Sequence, residues 1–420
     1  MRLNHQQFSS WHTPQINVEN LSERIELQSL KMLKSFKVKS FKSLEDVEIE
    51  LGRVNVFIGA NGSGKSNLLE AIGVLGAAAN GRVDDEALLR RGVRPGLPAR
   101  YKSSFKGVKL PREIQLTATN DGARFSVSLL NSSNNPEPAW RFKTESLEEG
   151  DKKLVGRSPA TKLQLDPTSG YTALKAVELI VDSPAGLLLS ELRQFAIYAP
   201  DTATLRGLNT DNQSRDPVGL AGGGLVEALD SLFGGLSDRD VYESVLELID
   251  WASGIGSIYA ESVPVSKSIP KQSRILHFRD RFMASGRNRL SSYDASEGAL
   301  YVLFMTVLVH HPQAPSVLAV DNFDHALNPR LAKALTRQIC EWMSRKDNHQ
   351  LLLTSHNPLV LDGLPLQDDS VRLFTVERSN KGKTVVRRVE VSSELLEQAK
   401  NGVPLSQQWV IGTFGGVPQI

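Results

Sequence analysis

An eight-residue segment, Gly59–Ser66, has the composition of a phosphate-binding loop. It reads GANGSGKS and matches the pattern GxxxxGK(S/T). An apolar run, Val54–Ile58, precedes it, and a helical pattern with Leu68, Ile72 and Leu75 on one face follows. Glycines allow backbone amides to curl around phosphate oxygens, and the N-terminus of the helix adds partial positive charge. The sequence therefore predicts a nucleotide phosphate site.

The residue types in this loop predict two separate tasks. Lys65 is expected to reach the β- and γ-phosphates, and the Ser66 hydroxyl is expected to bind Mg²⁺. The expected ligands are thus ATP and Mg²⁺. The residues predicted to contact the nucleotide are Gly59, Ala60, Asn61, Gly62, Ser63, Gly64, Lys65, Ser66 and Asn67.

A carboxylate at the end of a second apolar run complements the loop. Asp321 directly follows the apolar residues Val317–Val320. An Asp at the carboxyl end of a core strand is where a magnesium-orienting residue lies beside a phosphate loop. Taken alone, the position fits a helix cap or a turn residue equally well. Beside the phosphate loop, Asp321 is predicted to join Ser66 in binding Mg²⁺.

The elements that must position these residues predict an α/β fold. Leu33–Leu51 alternates with a period of two, which indicates two half-buried antiparallel strands. A buried helix is predicted over Glu297–Val309, and another from Pro329 to about Arg345. Short apolar runs indicate core strands at Val317–Val320, Leu351–Leu353 and Leu373–Val376. Strand, helix and strand at this spacing imply a parallel sheet with right-handed crossovers.

The middle of the chain is expected to form an inserted lobe. Ile114–Leu130 predicts a hairpin, residues 131–170 predict an exposed loop, and Leu225 to about Trp251 predicts a helix. The predicted divisions are a flexible extension with Met32 as an alternative start (1–32), the phosphate-loop half of a head (33–110), an antiparallel β lobe with an inserted helical lobe (111–290), and the second half of the head with a tail (291–420).

Composition excludes several classes of protein. The chain has 420 residues, which favours two or three lobes, and its 49 basic and 47 acidic side chains nearly cancel. The single Cys340 excludes a disulfide framework and a cysteine-based zinc site. Gly298–Val309, the longest apolar run, is shorter than the ~20 residues that a membrane span needs. The polar N-terminal residues do not resemble a secretory signal. We expect a cytoplasmic protein without membrane association.

Four segments in order carry a family resemblance. Asp321–Asn328 (DNFDHALN) lines up with the DEPTSALD stretch of ABC-type ATPases, in which the phosphate loop comes first. Asp294–Gly298 (DASEG) resembles their signature motif, and Thr354–Pro358 (TSHNP) resembles their switch-histidine segment. The opening Leu33–Leu51 resembles the RecF/SMC-like and OLD-type ATPases, which are often labelled AAA-type. The resemblance implies a P-loop NTPase fold with an ABC-ATPase-like head and a mixed β-sheet.

The resemblance also implies a composite site between two protomers. Ser296 and Gly298 of one protomer would cap the γ-phosphate held by the loop of the other, and Asn328 would cross the interface. His356 would contact the γ-phosphate. Ser296 could instead be only a helix cap, and His356 only a turn residue. The implied partner is a second copy of the chain, in an ATP-dependent dimer or a higher oligomer.

One position departs from the family pattern. Asn322 stands where the glutamate that polarises the attacking water is expected. An amide cannot accept a proton in that role, and loss of a general base typically costs about 10²–10⁴ in rate. Asp324 is the expected substitute if its side chain faces the site, and a loop carboxylate otherwise. With Asp321 and His356, these residues complete the predicted catalytic set, and slow hydrolysis is expected.

Two basic stretches could bind nucleic acid or could be solvated loops. Residues 87–112 contain Lys or Arg at eight positions and no acid: Arg90, Arg91, Arg94, Arg100, Lys102, Lys106, Lys109 and Arg112. DNA binding through this stretch is one prediction. The second stretch consists of Arg274, Arg279, Arg281, Arg287 and Arg289.

Sustained heptads and a carboxylate cluster typical of a fused nuclease are both missing from the pattern. By analogy, stand-alone heads of this group serve DNA maintenance or anti-phage defence with a separately encoded nuclease or toxin effector. The alternative is a non-hydrolysing scaffold in which ATP assembles the oligomer and a partner protein is held and released. A transporter subunit is disfavoured, because no coupling segment is recognisable.

Overall fold

The computed structural model describes residues 32–131, 139–158, 166–211, 213, 215–234, 239–259, 274–392, 395, 397–398 and 402–416. The predicted N-terminal extension therefore lies, except for Met32, outside the described residues. The strands are β1 (Ser35–Phe41), β2 (Leu44–Glu50), β3 (Val54–Ile58), β4 (Ile114–Thr119), β5 (Ala123–Leu130), β6 (Arg141–Glu149), β7 (Lys152–Arg157), β8 (Ala196–Tyr198), β9 (Ala252–Tyr259), β10 (Arg274–Asp280), β11 (Arg289–Ser291), β12 (Val317–Val320), β13 (Gln350–Ser355), β14 (Val371–Arg378) and β15 (Thr384–Arg388).

Helices connect and cover these strands. They are α1 (Lys65–Ala79), α2 (Asp85–Leu89), α3 (Pro98–Tyr101), α4 (Tyr171–Lys175), α5 (Pro184–Gln194), α6 (Thr202–Leu205), α7 (Leu225–Gly234), α8 (Arg239–Leu248), α9 (Glu297–His310), α10 (Pro329–Ser344) and α11 (Leu405–Val410). Short 3-10 turns cover Ala176–Glu178 and Pro358–Gly363. None of the helices in the described ranges is long and apolar enough to cross a membrane.

The central layer is a six-stranded sheet in the order β15-β14-β3-β13-β12-β8. Its neighbours are parallel except for β15, which pairs with β14 in an antiparallel hairpin. All five residues of β3 are buried, because strands lie on both sides of it and side chains cover both faces. The predicted α/β fold with a mixed sheet is confirmed, as are the three core strands.

A second sheet lies across α1 from the central one. It is antiparallel and has the order β2-β1-β4-β5-β6-β7. The predicted β4–β5 hairpin is confirmed, and its turn is closed by the Asn120 side chain, which accepts from the backbone N–H groups of Gly122 and Ala123. Side chains of α1 pack with Phe36 of this sheet and Phe57 of the central sheet in one apolar cluster. The phosphate-loop helix is thus clamped between two sheets.

A third layer packs on the other face of the central sheet. It contains α9, α10, the helices α7 and α8, and a three-stranded sheet in the order β11-β10-β9. Residues Gly298–Val309 of α9 are all buried, so the apolar character on every side of this helix reflects a fully enclosed position.

One prediction for the middle of the chain is wrong. Residues 131–170 were expected to be an exposed loop, but β6 and β7 occupy much of this segment. The strand pattern is concealed because the inward position of Glu145 is polar; its buried carboxylate accepts from the N–H groups of Tyr171 and Thr172. Within the stretch predicted to be helical, Leu225 to about Trp251, the structure has α7 and α8, residues 235–238 lie outside the described residues, and Trp251 follows in a turn.

The predicted domain division stays a prediction. Within the segment 111–290, β4–β7 extend the sheet formed by β1 and β2, and β8 pairs with β12 in the central sheet. The segment therefore contributes strands to both large sheets, in addition to the α7–α8 layer.

A core substitution tests this architecture. Leu353 is fully buried in β13, between β3 and β12. We expect Leu353→Ala to lower the free energy of unfolding by about 2–5 kcal/mol, because it removes apolar contacts and leaves a cavity. Leu174→Ala is the matched control at a site that is 67% exposed, with an expected change below about 0.5 kcal/mol. The midpoints of urea unfolding report both values, and equal midpoints would contradict the assignment of β13 to the core.

Candidate nucleotide site

The phosphate loop joins the carboxyl end of β3 to the N-terminus of α1. Gly64, immediately before α1, has φ 111°, a left-handed conformation that favours glycine. A Cβ at Gly64 would lie 2.1 Å from Thr384 Oγ1, and a Cβ at Gly59 would lie 2.0 Å from the carbonyl oxygen of Val376. The glycines therefore permit a close approach between the loop and the β14–β15 hairpin.

Lys65 folds back over its own loop. Its Nζ donates to the carbonyl oxygens of Gly59 at 2.8 Å and Ala60 at 3.0 Å. Burial lowers the pKa of Lys65, and the negative charges of Asp321 and Asp324 oppose that effect. The predicted cation and these two carboxylates therefore belong to one electrostatic cluster.

Polar side chains outside the motif hold the loop. The Thr384 hydroxyl at the start of β15 donates to the carbonyl of Ser63 at 2.7 Å. The Thr384 hydroxyl also lies 2.7 Å from the Ser43 hydroxyl, and the Ser43 oxygen accepts a hydrogen bond from Asn67 Nδ2. Sequence reasoning missed Thr384 and Ser43, because each is an ordinary hydroxyl residue and no local pattern links them to the loop.

Strand register places Asp321 beside the loop. Val320 pairs with Leu353, and Ser355 pairs with Ile58, so β12, β13 and β3 end at one edge of the sheet. The Thr354 hydroxyl accepts from the N–H of Asn322 at 2.8 Å and donates to the Asp321 carboxylate. This Thr354 bridge orients the carboxylate that the sequence predicts as a magnesium ligand.

The expected catalytic position is Asn322, and its possible substitute is Asp324. Asn322 has φ 52°, a left-handed conformation that Asn tolerates better than most residues. Asp324 is 3% exposed, and its Oδ1 is buried without a hydrogen-bond partner in the described part of the chain. Burial raises the pKa of Asp324, and the positive charge of His356 opposes the rise. The turn after β12 thus carries Asp324 into the cluster near Lys65 and His356.

These residues suit a phosphate ligand and its cation. Besides Asp324 Oδ1, the hydroxyl oxygen of Ser63 is buried without a partner in the described ranges. Lys65 Nζ donates to carbonyls of its own loop, and within the described residues it has no other hydrogen-bond partner. An unsatisfied hydroxyl, a loop with glycines and a neighbouring carboxylate form a donor set that matches phosphate with Mg²⁺.

Comparisons with known proteins find similarity in two parts of the sequence and in the fold. A family model described as "AAA ATPase domain" matches residues 32–105, and one described as "AAA domain, putative AbiEii toxin, Type IV TA system" matches residues 211–362. The solved "SmcHead bound to the C-winged helix domain of ScpA" aligns with 87% of this chain and 99% of its own, at TM-score 0.52 and 12% identity. The SMC head domain from Thermotoga maritima aligns with 86% of this chain and 99% of its own, at TM-score 0.44 and 15% identity.

This chain has the α/β fold of a P-loop NTPase with an ABC-ATPase-like head, and its sequence is similar to RecF over 101 residues. Curated relatives include the DNA replication and repair protein RecF of Lactobacillus johnsonii, 36% identical over 101 residues, and that of Lactobacillus gasseri, 35% identical over 101 residues. Each alignment covers 23% of this chain and 26% of the relative. The chain thus spans about a quarter of the length of the curated relatives it matches.

The signature-like residues lie at the N-termini of α9 and α10, which we call the second edge of the head. Ser296 caps α9 and accepts from the N–H of Ala299 at 3.4 Å, and Asn328 caps α10 and accepts from Leu331 at 3.0 Å. A Cβ at Gly298 would lie 2.9 Å from the Leu331 side chain, so the two helix starts pack together. Both caps line a cavity of about 460 Å³. Contact of this edge with a second protomer stays a prediction.

Arg206 is another residue that sequence reasoning missed, and its segment links Asp321 with the loop that precedes α9. Arg206, just after α6, donates from Nη2 to the carbonyl oxygen of Ala295 at 3.0 Å. The segment that contains Arg206 follows β8. The carbonyl of Tyr198, the last residue of β8, accepts from the N–H of Asp321 at 2.9 Å. One connection after β8 therefore contacts both the backbone of Asp321 and the loop that carries Ser296.

The basic stretch 87–112 is only partly a surface. Arg91 is buried and donates to the carbonyls of Ala87 and Arg193. Lys102 is buried and donates to the carbonyl of Asn131. Their assignment to a DNA-binding surface is wrong, because these cations satisfy buried backbone oxygens.

Two further cations of this stretch are paired with carboxylates. Arg90 forms an ion pair with Glu86, and Arg94 pairs with Glu70, which is buried and also pairs with Lys42. Four exposed residues of this stretch form no ion pair within the described ranges, namely Arg100, Lys106, Lys109 and Arg112.

Removal of the Thr384 hydroxyl tests how the loop is held. We expect Thr384→Val to keep the fold and to weaken ATP binding about 2- to 10-fold, the effect of one lost net hydrogen bond to the carbonyl of Ser63. Thr375→Val is the matched control, since that buried threonine lies on β14 and its hydroxyl donates to the carbonyl of Arg387 at 3.5 Å. Titration with a fluorescent ATP analogue gives both affinities. Equal affinities would show that the contact does not shape the site.

The pH dependence of stability tests the environment of Asp324. Because its folded pKa is raised, the unfolded chain releases this proton more easily, so stability is lost as pH rises above the ordinary value of 3.8 towards the folded pKa. Asp324→Asn removes this loss, at most about 1.4 kcal/mol for each pH unit of the window. We expect the variant to have the higher urea midpoint at neutral pH and an equal midpoint at the acidic end.

The exposed Asp182 supplies the control for this measurement. Asp182→Asn should track the wild-type protein at every pH. A difference between Asp324→Asn and wild type that stays constant with pH would contradict a raised pKa at Asp324.

Proposed function

We propose that this chain is an ATP-binding head that hydrolyses ATP slowly, dimerises around ATP and regulates a DNA-directed or effector activity. The observation that carries the proposal is the convergence of Lys65, Asp321 and Asp324 where β3, β12 and β13 end. An ammonium, a magnesium-type carboxylate and a second, buried carboxylate are the groups that phosphoryl transfer to water requires.

Each of these residues has a distinct role toward ATP. The backbone of Gly59–Ser66 cradles the phosphates, and Lys65 turns from its loop carbonyls to the β- and γ-phosphates. Ser66 and Asp321 would hold Mg²⁺, which neutralises charge on the phosphates when it is bound. The Thr354 bridge keeps Asp321 oriented for that contact.

Asp324 is the proposed general base. A carboxylate works best as a base when its pKa approaches the working pH, and burial shifts the pKa of Asp324 in that direction. Its buried Oδ1 has no hydrogen-bond partner in the described part of the chain, so it could accept from a water molecule that enters the site with ATP. His356, whose charge acts on Asp324, is proposed to contact the γ-phosphate.

The second candidate is a scaffold that binds ATP without turnover. The observation in its favour is Asn322, an amide held in a left-handed turn at the position of the usual glutamate. In that case ATP binding assembles the oligomer, and release of a held partner follows another trigger. ATP hydrolysis that depends on Asp324 is expected for the first candidate and not for the second.

Dimerisation and partners are inferred from the second edge and from relatives. Ser296, Gly298 and Asn328 lie together at the N-termini of α9 and α10, whose partial positive charge suits a γ-phosphate presented by another protomer. The relatives named as DNA replication and repair proteins favour DNA, and the family description that mentions a toxin favours a defence effector. The SMC head solved with a winged-helix domain favours a protein partner.

Steady-state hydrolysis of ATP is the test of the main proposal. Purified protein is assayed with Mg²⁺, with and without single-stranded or duplex DNA, and Lys65→Ala is the blank. Turnover above the blank that rises with DNA supports a DNA-responsive ATPase. Tight ATP binding without turnover in any condition would leave the scaffold.

Substitutions at the two candidate base positions refine this test. If Asp324 is the base, Asp324→Asn lowers turnover about 10²-fold or more, and Asn322→Glu changes it little. If the scaffold is correct, Asn322→Glu raises turnover from the blank by a similar factor. Asn322→Gln is the matched control, because it has the same backbone strain as Glu without the carboxylate.

A further inference from the structure

The hairpin formed by β10 and β11 exposes positive charge around an aromatic tip. Residues 279–289 contain four arginines and one carboxylate, and all four arginines are exposed: Arg279, Arg281, Arg287 and Arg289. At the tip, Phe282 is 79% exposed and Met283 is 45% exposed. An exposed aromatic ring among arginines is an unusual surface for a chain with nearly balanced charge.

The arginines of this hairpin are not neutralised within the described residues. No ion pair there involves Arg279, Arg287 or Arg289, and the Arg281 guanidinium donates to the backbone carbonyl of Ala252. The carboxylate of the hairpin, Asp280, is engaged in the turn, where it accepts from the N–H groups of Phe282 and Met283. The charge of the hairpin is therefore presented to solvent.

Strand register concentrates two of these charges at a cost in stability. Arg279 and Arg289 are directly opposite each other on the antiparallel pair, and like charges in that position are destabilising. Residues opposite each other share a face of the sheet, so both guanidinium groups lie on one side. A binding surface for a polyanion explains why this repulsion is present.

We propose that the β10–β11 hairpin is a contact surface for single-stranded DNA, in which Arg279, Arg287 and Arg289 bind phosphates and Phe282 stacks on an unpaired base. Arginine suits phosphate because its planar fork can donate two hydrogen bonds to one group. Stacking on an aromatic ring needs a base whose face is accessible, which favours single strands over duplex. The choice of DNA over RNA rests on the proposed function.

The hairpin is directly connected to the signature-like loop. At the end of β11, the backbone N–H and hydroxyl of Ser291 donate to the Asp294 carboxylate, and the N–H of the next residue, Ser292, donates to the carbonyl of Leu276 on β10. The next residues are Ala295, held by Arg206, and Ser296, the cap of α9. DNA bound at the hairpin would therefore contact an element that is joined directly to Ser296, the residue proposed to face the ATP of a second protomer.

Fluorescence anisotropy with labelled oligo(dT) tests the surface. The triple variant Arg279→Gln, Arg287→Gln, Arg289→Gln should weaken binding more than about tenfold and reduce the slope of log K against log salt by about 2, since each phosphate contact contributes about 0.7. Phe282→Ala should weaken binding about 5- to 100-fold and leave the salt slope unchanged. DNA stimulation of turnover should fall in parallel.

The matched control removes three cations from the other basic stretch. Lys106→Gln, Lys109→Gln, Arg112→Gln should bind oligo(dT) like the wild type. Loss of binding in this control with full binding by the hairpin triple variant would overturn the inference and leave the proposed ATPase intact. Tighter binding of duplex DNA or of RNA than of single-stranded DNA, or no effect of Phe282→Ala, would also overturn it.

Two measurements separate these outcomes from failure of the fold or of the proposed function. The hairpin triple variant should have a thermal midpoint no lower than the wild type, because it relieves the repulsion between Arg279 and Arg289. ATP binding that depends on Lys65 tests the head independently of DNA. A wild-type protein that binds ATP but no oligo(dT) with or without ATP would overturn the hairpin inference alone.

Discussion

The close contact between the phosphate loop and the β14–β15 hairpin is the constraint on which the site depends. Gly59 and Gly64 bring the loop backbone against Val376 and Thr384, at positions where any side chain would collide. The loop lies near the start of the described chain and the hairpin near its end. A nucleotide site consequently forms only when these two distant parts of the chain have docked, and neither half of the head would hold the loop by itself.

Sequence patterns predict the parts of this head that obey local rules. The alternation in Leu33–Leu51 and the apolar runs of the core strands are confirmed, because burial on one or both faces produces these patterns directly, and the glycine-rich loop lies between β3 and α1 as its flanking patterns predict. Thr384 and Arg206 were not predicted, because their hydrogen-bond partners, Ser63 and Ala295, lie far from them in the sequence. Residues 131–170 were misjudged because a buried carboxylate, Glu145, is satisfied by backbone amides and conceals an inward-facing position.

Charge in the sequence and charge on the surface are different quantities in this protein. Arg91 and Lys102 belong to the densest basic stretch, yet both are buried and neutralise carbonyl dipoles of neighbouring segments. The β10–β11 hairpin has fewer cations in sequence but presents them outward. Composition could not separate the two cases, because what distinguishes them is whether unpaired carbonyl groups are within reach of the side chain.

The fully enclosed helix α9 has a mechanical consequence. Its residues Gly298–Val309 contact protein on every side, so rotation or bending of this helix alone would open voids in a close-packed interior. Ser296 at its N-terminus can therefore shift only together with the layer that contains α9 and α10. Any signal that reaches this residue, whether from nucleotide or from another ligand, must be transmitted as a rigid displacement of that whole layer against the central sheet.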